Sequence, residues 1–188
     1  MRLSLASLVC ILSVLLLNSC HSDRGGVEVI VDGDRQFPDF LVGRWKADSG
    51  GWEFVFEKDG TISSAMVSLG RARLKPGHIT VVPMELGGKG VFEPGPWTVQ
   101  YSHEQRELIV EISIARFRAE LGENVLRGRT RDFFVGSVSP DGQLWPVQRF
   151  SYPEYVADTE KYHDYKLAYD PNDNPPENLL FQKVRGTE

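Results

Sequence analysis

The sequence predicts an all-β fold. Alternating apolar and polar residues recur in runs of strand length from position 37 onward, the gaps between runs are rich in Gly, Pro and Asp, and no stretch there keeps a helical period. Runs joined in sequence by short turns form an antiparallel meander. Such a meander closes into an up-and-down barrel or, as the alternative, folds into a β-sandwich.

The elements follow in order. Residues 21–36 are polar apart from Val27-Glu28-Val29-Ile30-Val31 and read as a tether with one short strand that docks. A strand is expected over 41–47. Trp52, Phe54 and Phe56 then alternate with Glu53, Val55 and Glu57, the run stops at Asp59-Gly60, and alternation resumes from Thr61 to Leu69. An Asp-Gly pair between such runs suits a two-residue hairpin turn with positive φ values. With Lys58 opposite Thr61, the aromatic row faces Ser63, Ala65 and Val67, large side chains against small ones. Further strands are expected at 78–84, 96–102, 107–118, 124–138, 143–151 and 178–184. They are separated by Lys75-Pro76-Gly77, Gly87-Gly88-Lys89-Gly90, Glu93-Pro94-Gly95-Pro96 and Ser139-Pro140-Asp141-Gly142.

The start of the chain has a different character. Met1-Arg2 is followed by an apolar run, Leu5 to Leu17, broken only by Ser7 and Ser13. That is the length of a secretory h-region and short of the roughly 20 residues of a spanning helix. Directly behind it, Leu17-Asn18-Ser19-Cys20 resembles the cleavage and lipidation signal of bacterial lipoproteins. The resemblance implies a signal peptide over 1–19, a diacylglycerol on Cys20, a tether over 20–36 and a single domain over 37–188. It also implies a membrane partner, reached through the lipid, in the bacterial cell envelope. His21 stands where an inner-membrane-retained lipoprotein of the enterobacterial type has Asp, which favours the outer membrane.

Cysteine usage agrees. Of the two cysteines, Cys10 lies in the leader and Cys20 at the lipidation point, so no disulfide is expected and the core alone must hold the domain. The formal net charge is −5, and losing Arg2 with the leader makes the remainder one unit more negative. That balance argues against nucleic acid as a partner.

Phe40-Leu41-Val42-Gly43-Arg44-Trp45, followed by Trp52-Glu53-Phe54-Val55-Phe56 and Asp59-Gly60-Thr61, resembles the opening of lipocalin-like domains. There, a Gly-x-Trp on the first strand plugs the closed end of an up-and-down barrel. The resemblance implies a barrel that holds a small hydrophobic or amphiphilic molecule.

Two features stand out as candidate sites. The first is a comb of arginines. If Gly122-Glu123 is a two-residue turn, Arg118 lies opposite Arg127 and Arg116 opposite Arg129, with Arg131 continuing the row. Opposed like charges are destabilising, so either carboxylates on the next strands or a bound anion must offset them. Val110, Ile112 and Ile114 share the parity of Arg116 and Arg118, which would set the row at the rim of an apolar interior, suited to an amphiphile with an acidic head. The alternative is a solvated outer face with Glu neighbours, and a three-residue turn would split the row between two faces.

The second feature is the stretch 152–176, where Tyr152, Tyr155, Tyr162, Tyr165 and Tyr169 crowd among Asp, Glu and Pro. It reads as a long loop, with Tyr155, Tyr162 and Tyr165 as candidate contacts for an envelope glycan or protein, or as rings that pin the loop to the fold. Within it Asp170-Pro171-Asn172-Asp173-Asn174 imitates a calcium loop, but Pro175 replaces the required Gly and Phe181 the bidentate Glu, so no metal is expected.

No catalytic motif is found and no cofactor is expected. His103-Glu104-Gln105-Arg106-Glu107 lacks the second His of a zinc helix, Gly87-Gly88-Lys89-Gly90 lacks the Ser or Thr of a phosphate loop, and Ser137 and Ser139 lack the second Gly of a nucleophile elbow. His163 beside Asp164 reads as an exposed loop pair rather than an acid-base pair. The expected function is that of a lipid-anchored envelope binding protein, with glycan or protein recognition as the alternative and hydrolysis third.

Overall fold

The computed structural model describes residues 26–33, 35–67, 71–84, 87–122, 124–158, 166–167 and 175–184. The leader, Cys20, Tyr162, Tyr165, Tyr169, the His163-Asp164 pair and the 170–174 segment lie outside the described residues.

Thirteen strands form one mixed sheet: β1 Val27–Val31, β2 Gly43–Ala47, β3 Glu53–Phe56, β4 Ile62–Val67, β5 Ala72–Leu74, β6 Thr80–Pro83, β7 Lys89–Pro94, β8 Trp97–Ser102, β9 Glu107–Leu121, β10 Asn124–Ser137, β11 Leu144–Asp158, β12 Lys166–Leu167 and β13 Glu177–Lys183. A 3-10 turn, Asp39–Leu41, precedes β2, and there is no α-helix among the described residues. The main path runs β1-β8-β9-β10-β11-β13-β2-β3-β4-β5 and is open. Every pairing is antiparallel except that of β1 with β8. The long strand β9 therefore has β10 along one edge, and β8 and then β7 along the other.

The all-β expectation holds, with four corrections. The short strand expected to dock within residues 21–36 is β1, but it pairs with β8 in parallel, so the sheet is mixed rather than wholly antiparallel. The stretches read as turns on either side of 89–94 hide a strand, because Gly90 and Pro94 are strand residues of β7. Strand β11 does not stop at 151. It runs to Asp158, so Tyr152 and Tyr155 are strand residues rather than loop residues. Pro153 is tolerated because it falls between the ladder to β13, which ends at Arg149, and that to β12, which starts at Tyr155.

The β3–β4 hairpin supplies the fourth correction. Glu57 N donates to Thr61 O at 2.8 Å and Gly60 N to Glu57 O at 3.0 Å, so the connection has three residues rather than two. Only Gly60 of the three takes a positive φ, 85°. Asp59 Oδ1 accepts bonds from Thr61 N and Oγ1, at 3.0 and 2.7 Å, which fixes the turn. A register shift at Val55/Phe56 then sets Phe56 opposite Ile62, so Ser63 is exposed while Ala65 and Val67 are buried beneath the aromatic row as expected.

The core is filled with rings. All four tryptophans are buried, and Phe54, Phe134, Trp145 and Phe181 meet at centroid separations of 4.9–6.1 Å. Trp45, on the expected Gly-x-Trp, is fully enclosed and donates its indole N–H to Leu41 O at 2.8 Å. Pairing of β13 with β2 sets the last described strand beside the second.

Candidate functional site

Inward parity along β11 continues past the buried Trp145 and Val147 to Arg149, Ser151, Pro153 and Tyr155. With Leu126, Thr130 and Asp132 of β10 they line a cavity of about 390 Å³. Trp52, Val67, Ile114 and Phe117 complete its wall.

A bulge shapes the β9 side of the cavity. Gly128 pairs with Phe117 and Thr130 with Ile114, so Ala115 and Arg116 together oppose the single residue Arg129. Both bulge residues are exposed, while Ile114 and Phe117 on either side point inward. Gly128 sits directly opposite Tyr155, and a Cβ there would collide with Glu154 O and with the Tyr155 Cα and Cβ. A glycine is required for β11 to approach this closely.

The polar groups of the cavity form one cluster. Asp132 is buried, and its Oδ1 accepts from Arg149 Nε and Nη2 at 3.1 and 2.8 Å. Arg149 Nη1 donates to Glu177 Oε2 at 2.7 Å and Nη2 also to Ser151 Oγ at 3.0 Å. Four of the five guanidinium N–H groups are thereby engaged. The same guanidinium lies 4.8 Å above the Trp52 ring. The Trp52 Nε1 itself is buried with no hydrogen-bond partner among the described residues, whereas the other three indoles donate to Leu41, Ser113 and Gly136 carbonyls.

The arginine comb assembles as expected across the Gly122-Glu123 turn: Leu121 pairs with Asn124 and Arg118 with Arg127. Its facing does not follow the expectation. The bulge at Ala115-Arg116 breaks parity, so Arg116 and Arg118 face away from Val110, Ile112 and Ile114, and the row lies on the outer surface rather than at a rim. Carboxylates offset it: Arg116 pairs with Glu93, Arg118 with Glu120, Arg129 with Glu154 and Arg131 with Glu111. The Arg118 bond holds Glu120 below the usual carboxylate range, helped by the Lys89 backbone N–H. Arg127 is engaged as well. Of the tyrosines, Tyr155 lines the cavity, while Tyr152 faces outward against Phe133, 5.8 Å between centroids.

No known protein family, curated protein or solved structure matches this chain. The geometry of the cavity therefore carries the functional argument. Asp132 and Arg149 carry no motif in the sequence, because each only interrupts a good strand pattern. The signal is that each shares parity with buried aromatics on its own strand, Phe134 and Trp145. No group of three or more His, Cys, Asp or Glu side chains is placed to hold a metal among the described residues.

Proposed function

We propose that this chain is a lipid-anchored protein of a bacterial cell envelope, preferentially the outer membrane, that holds a small apolar or amphiphilic molecule in the Trp52–Arg149–Tyr155 cavity. The observation that carries the reading is the cavity's composition: an aromatic and aliphatic wall around a few convergent polar groups, at a volume within the range of small-molecule sites. Tyr155, one of the residues expected to recognise a partner, takes its place in that wall. The arginine comb is left as surface.

We read the curled sheet as an up-and-down barrel, lipocalin-like in its opening strands. In support, β13 pairs with β2, and the isolated bridge Lys75–His78 links the segments of β5 and β6, with β6 and β7 continuing to β9. A ring closed in this way would have no edge at that junction.

Two experiments test the proposal. In the first, Cys20→Ala is compared with wild type by cell fractionation and palmitate labelling. Loss of label and release from the envelope are expected, and identical behaviour would remove the anchor. In the second, the chain from position 20 with Cys20→Ser, which holds every described strand, is analysed by native mass spectrometry. A co-purified adduct that disappears when Leu126→Trp fills the cavity is expected; an adduct that survives in this variant lies elsewhere.

A further inference from the structure

We infer that the molecule held in this cavity carries a cationic head group, a positively charged amphiphile rather than the anionic one that the arginine comb suggested. This rests on the reading of the cavity as a binding site. Among the described lining residues only Asp132 and Arg149 are charged, and Glu177 joins them through Arg149 Nη1. Two carboxylates thus surround one guanidinium, and the cluster has an excess of one negative charge.

Arg149 is a poor anion anchor. Four of its five N–H groups are committed to Asp132, Ser151 and Glu177, and one of its faces is against Trp52. An anionic head that leaves both carboxylates in place finds a single N–H, on Nη1, and sits beside two negative charges. A cation meets the opposite situation. Among the described residues it finds one net negative charge at the polar end, and Phe117 and Tyr155 in the wall are of the residue type whose rings attract alkylammonium groups. Arg116, Arg118, Arg129 and Arg131 do not alter this balance, since each is paired on the outer surface.

The test uses decyltrimethylammonium, decyl sulfate and decyl glucoside, each below its micelle concentration, titrated calorimetrically into the Cys20→Ser chain that begins at position 20. The ammonium compound is expected to bind about tenfold more tightly than either of the others. Glu177→Gln keeps an acceptor for Arg149 while removing the excess charge, and is expected to bring that ratio close to one. Should this variant fail to fold, the salt dependence of the wild-type ratio replaces it, with the ammonium preference shrinking as salt rises. Sulfate or glucoside binding as tightly as ammonium would overturn the charge assignment and leave the cavity reading standing. Binding of none of the three would overturn both. An ammonium preference unmoved by Glu177→Gln and by salt would show that the cluster does not set it.

Discussion

Arg149 and Asp132 are diagonal neighbours on the inner face of β11 and β10, joined by two hydrogen bonds of 3.1 and 2.8 Å, with Asp132 almost wholly enclosed. Ladder pairing fixes the diagonal, because Asp132 lies opposite Ser151 and Arg149 opposite Phe134. Two ionised groups at a boundary between packed rings and a cavity persist only when each satisfies the other.

Asp132→Ala follows from this relationship as the costliest polar change in the site. It strands a guanidinium that is 17 % exposed with Glu177 as its one remaining carboxylate. A loss of about 2–3 kcal/mol in unfolding free energy is expected, against about 1 for Asp132→Asn, which preserves an acceptor. Urea unfolding measures both. A cost below about 0.5 kcal/mol for the alanine variant would mean that Arg149 finds other partners at no expense.

The first strand gives a pH prediction. Asp32 follows β1 and accepts bonds from the His103 backbone N–H at 3.0 Å and from Ser102 Oγ at 3.0 Å, fastening β1 to the end of β8. The His103 N–H is the chief reason that its carboxyl titrates below the ordinary aspartate range. A depressed folded value means that the clamp is complete above the ordinary Asp range and is lost as pH falls through the folded value. The amide-exchange protection of Val27–Val31, taken relative to the intrinsic rate at each pH, is expected to fall on acidification before that of β9 or β10 does. Asp32→Asn should show the faster exchange already at neutral pH, and identical profiles for the two proteins would remove Asp32 from the account.

The bulge gives a deletion prediction. Removing Ala115 leaves Ile114, Arg116 and Phe117 in regular alternation, and sets Arg116 opposite both Arg129 and Glu93. Every inward residue of β9 stays inward, so this deletion is expected to fold with a loss of about 2 kcal/mol or less, through altered twist and cavity shape. Circular dichroism and thermal melting check it. A collapse of the fold would show that β9 needs the extra residue to reach both of its neighbours.

Much of this architecture was legible because its main device is period-two alternation, which β3, β8 and β10 display openly. What could not be read has physical causes. The bulge adds one residue without any marked composition, and one residue is enough to set the five arginines of the comb outside rather than at the expected rim. Strand β7 is framed by Gly and Pro, which announce turns even where the ladder needs no donor from them. The Asp132–Arg149 cluster depends on two strands being adjacent in register, a relationship absent from either strand alone.

For the comb itself, exposure decides the outcome. Arg116 and Arg129 keep 80 and 65 % of their side-chain surface in solvent, and ion pairs in such positions contribute little. The double variant Arg116→Gln, Arg129→Gln is expected to lose no more than about 1 kcal/mol, with partial relief of arginine repulsion offsetting the loss of Glu93 and Glu154 as partners. Titration with decyltrimethylammonium should give the wild-type affinity. A drop of tenfold or more would return the comb to the binding site.

The contrast between Trp52 and Trp45 supplies the sharpest packing prediction. Both are buried, yet Trp45 Nε1 donates to Leu41 O and Trp52 Nε1 has no acceptor among the described residues. Trp45→Phe removes indole volume from a ring-packed centre and orphans a carbonyl, so a cost of about 2–4 kcal/mol is expected. Trp52→Phe also gives up volume, but it eliminates a buried N–H whose desolvation is unrepaid, and it leaves an aromatic face beneath Arg149. These effects oppose each other, and a net change within about 1 kcal/mol is expected. Equal costs for the two variants in parallel urea titrations would mean that the Trp52 indole has an acceptor after all.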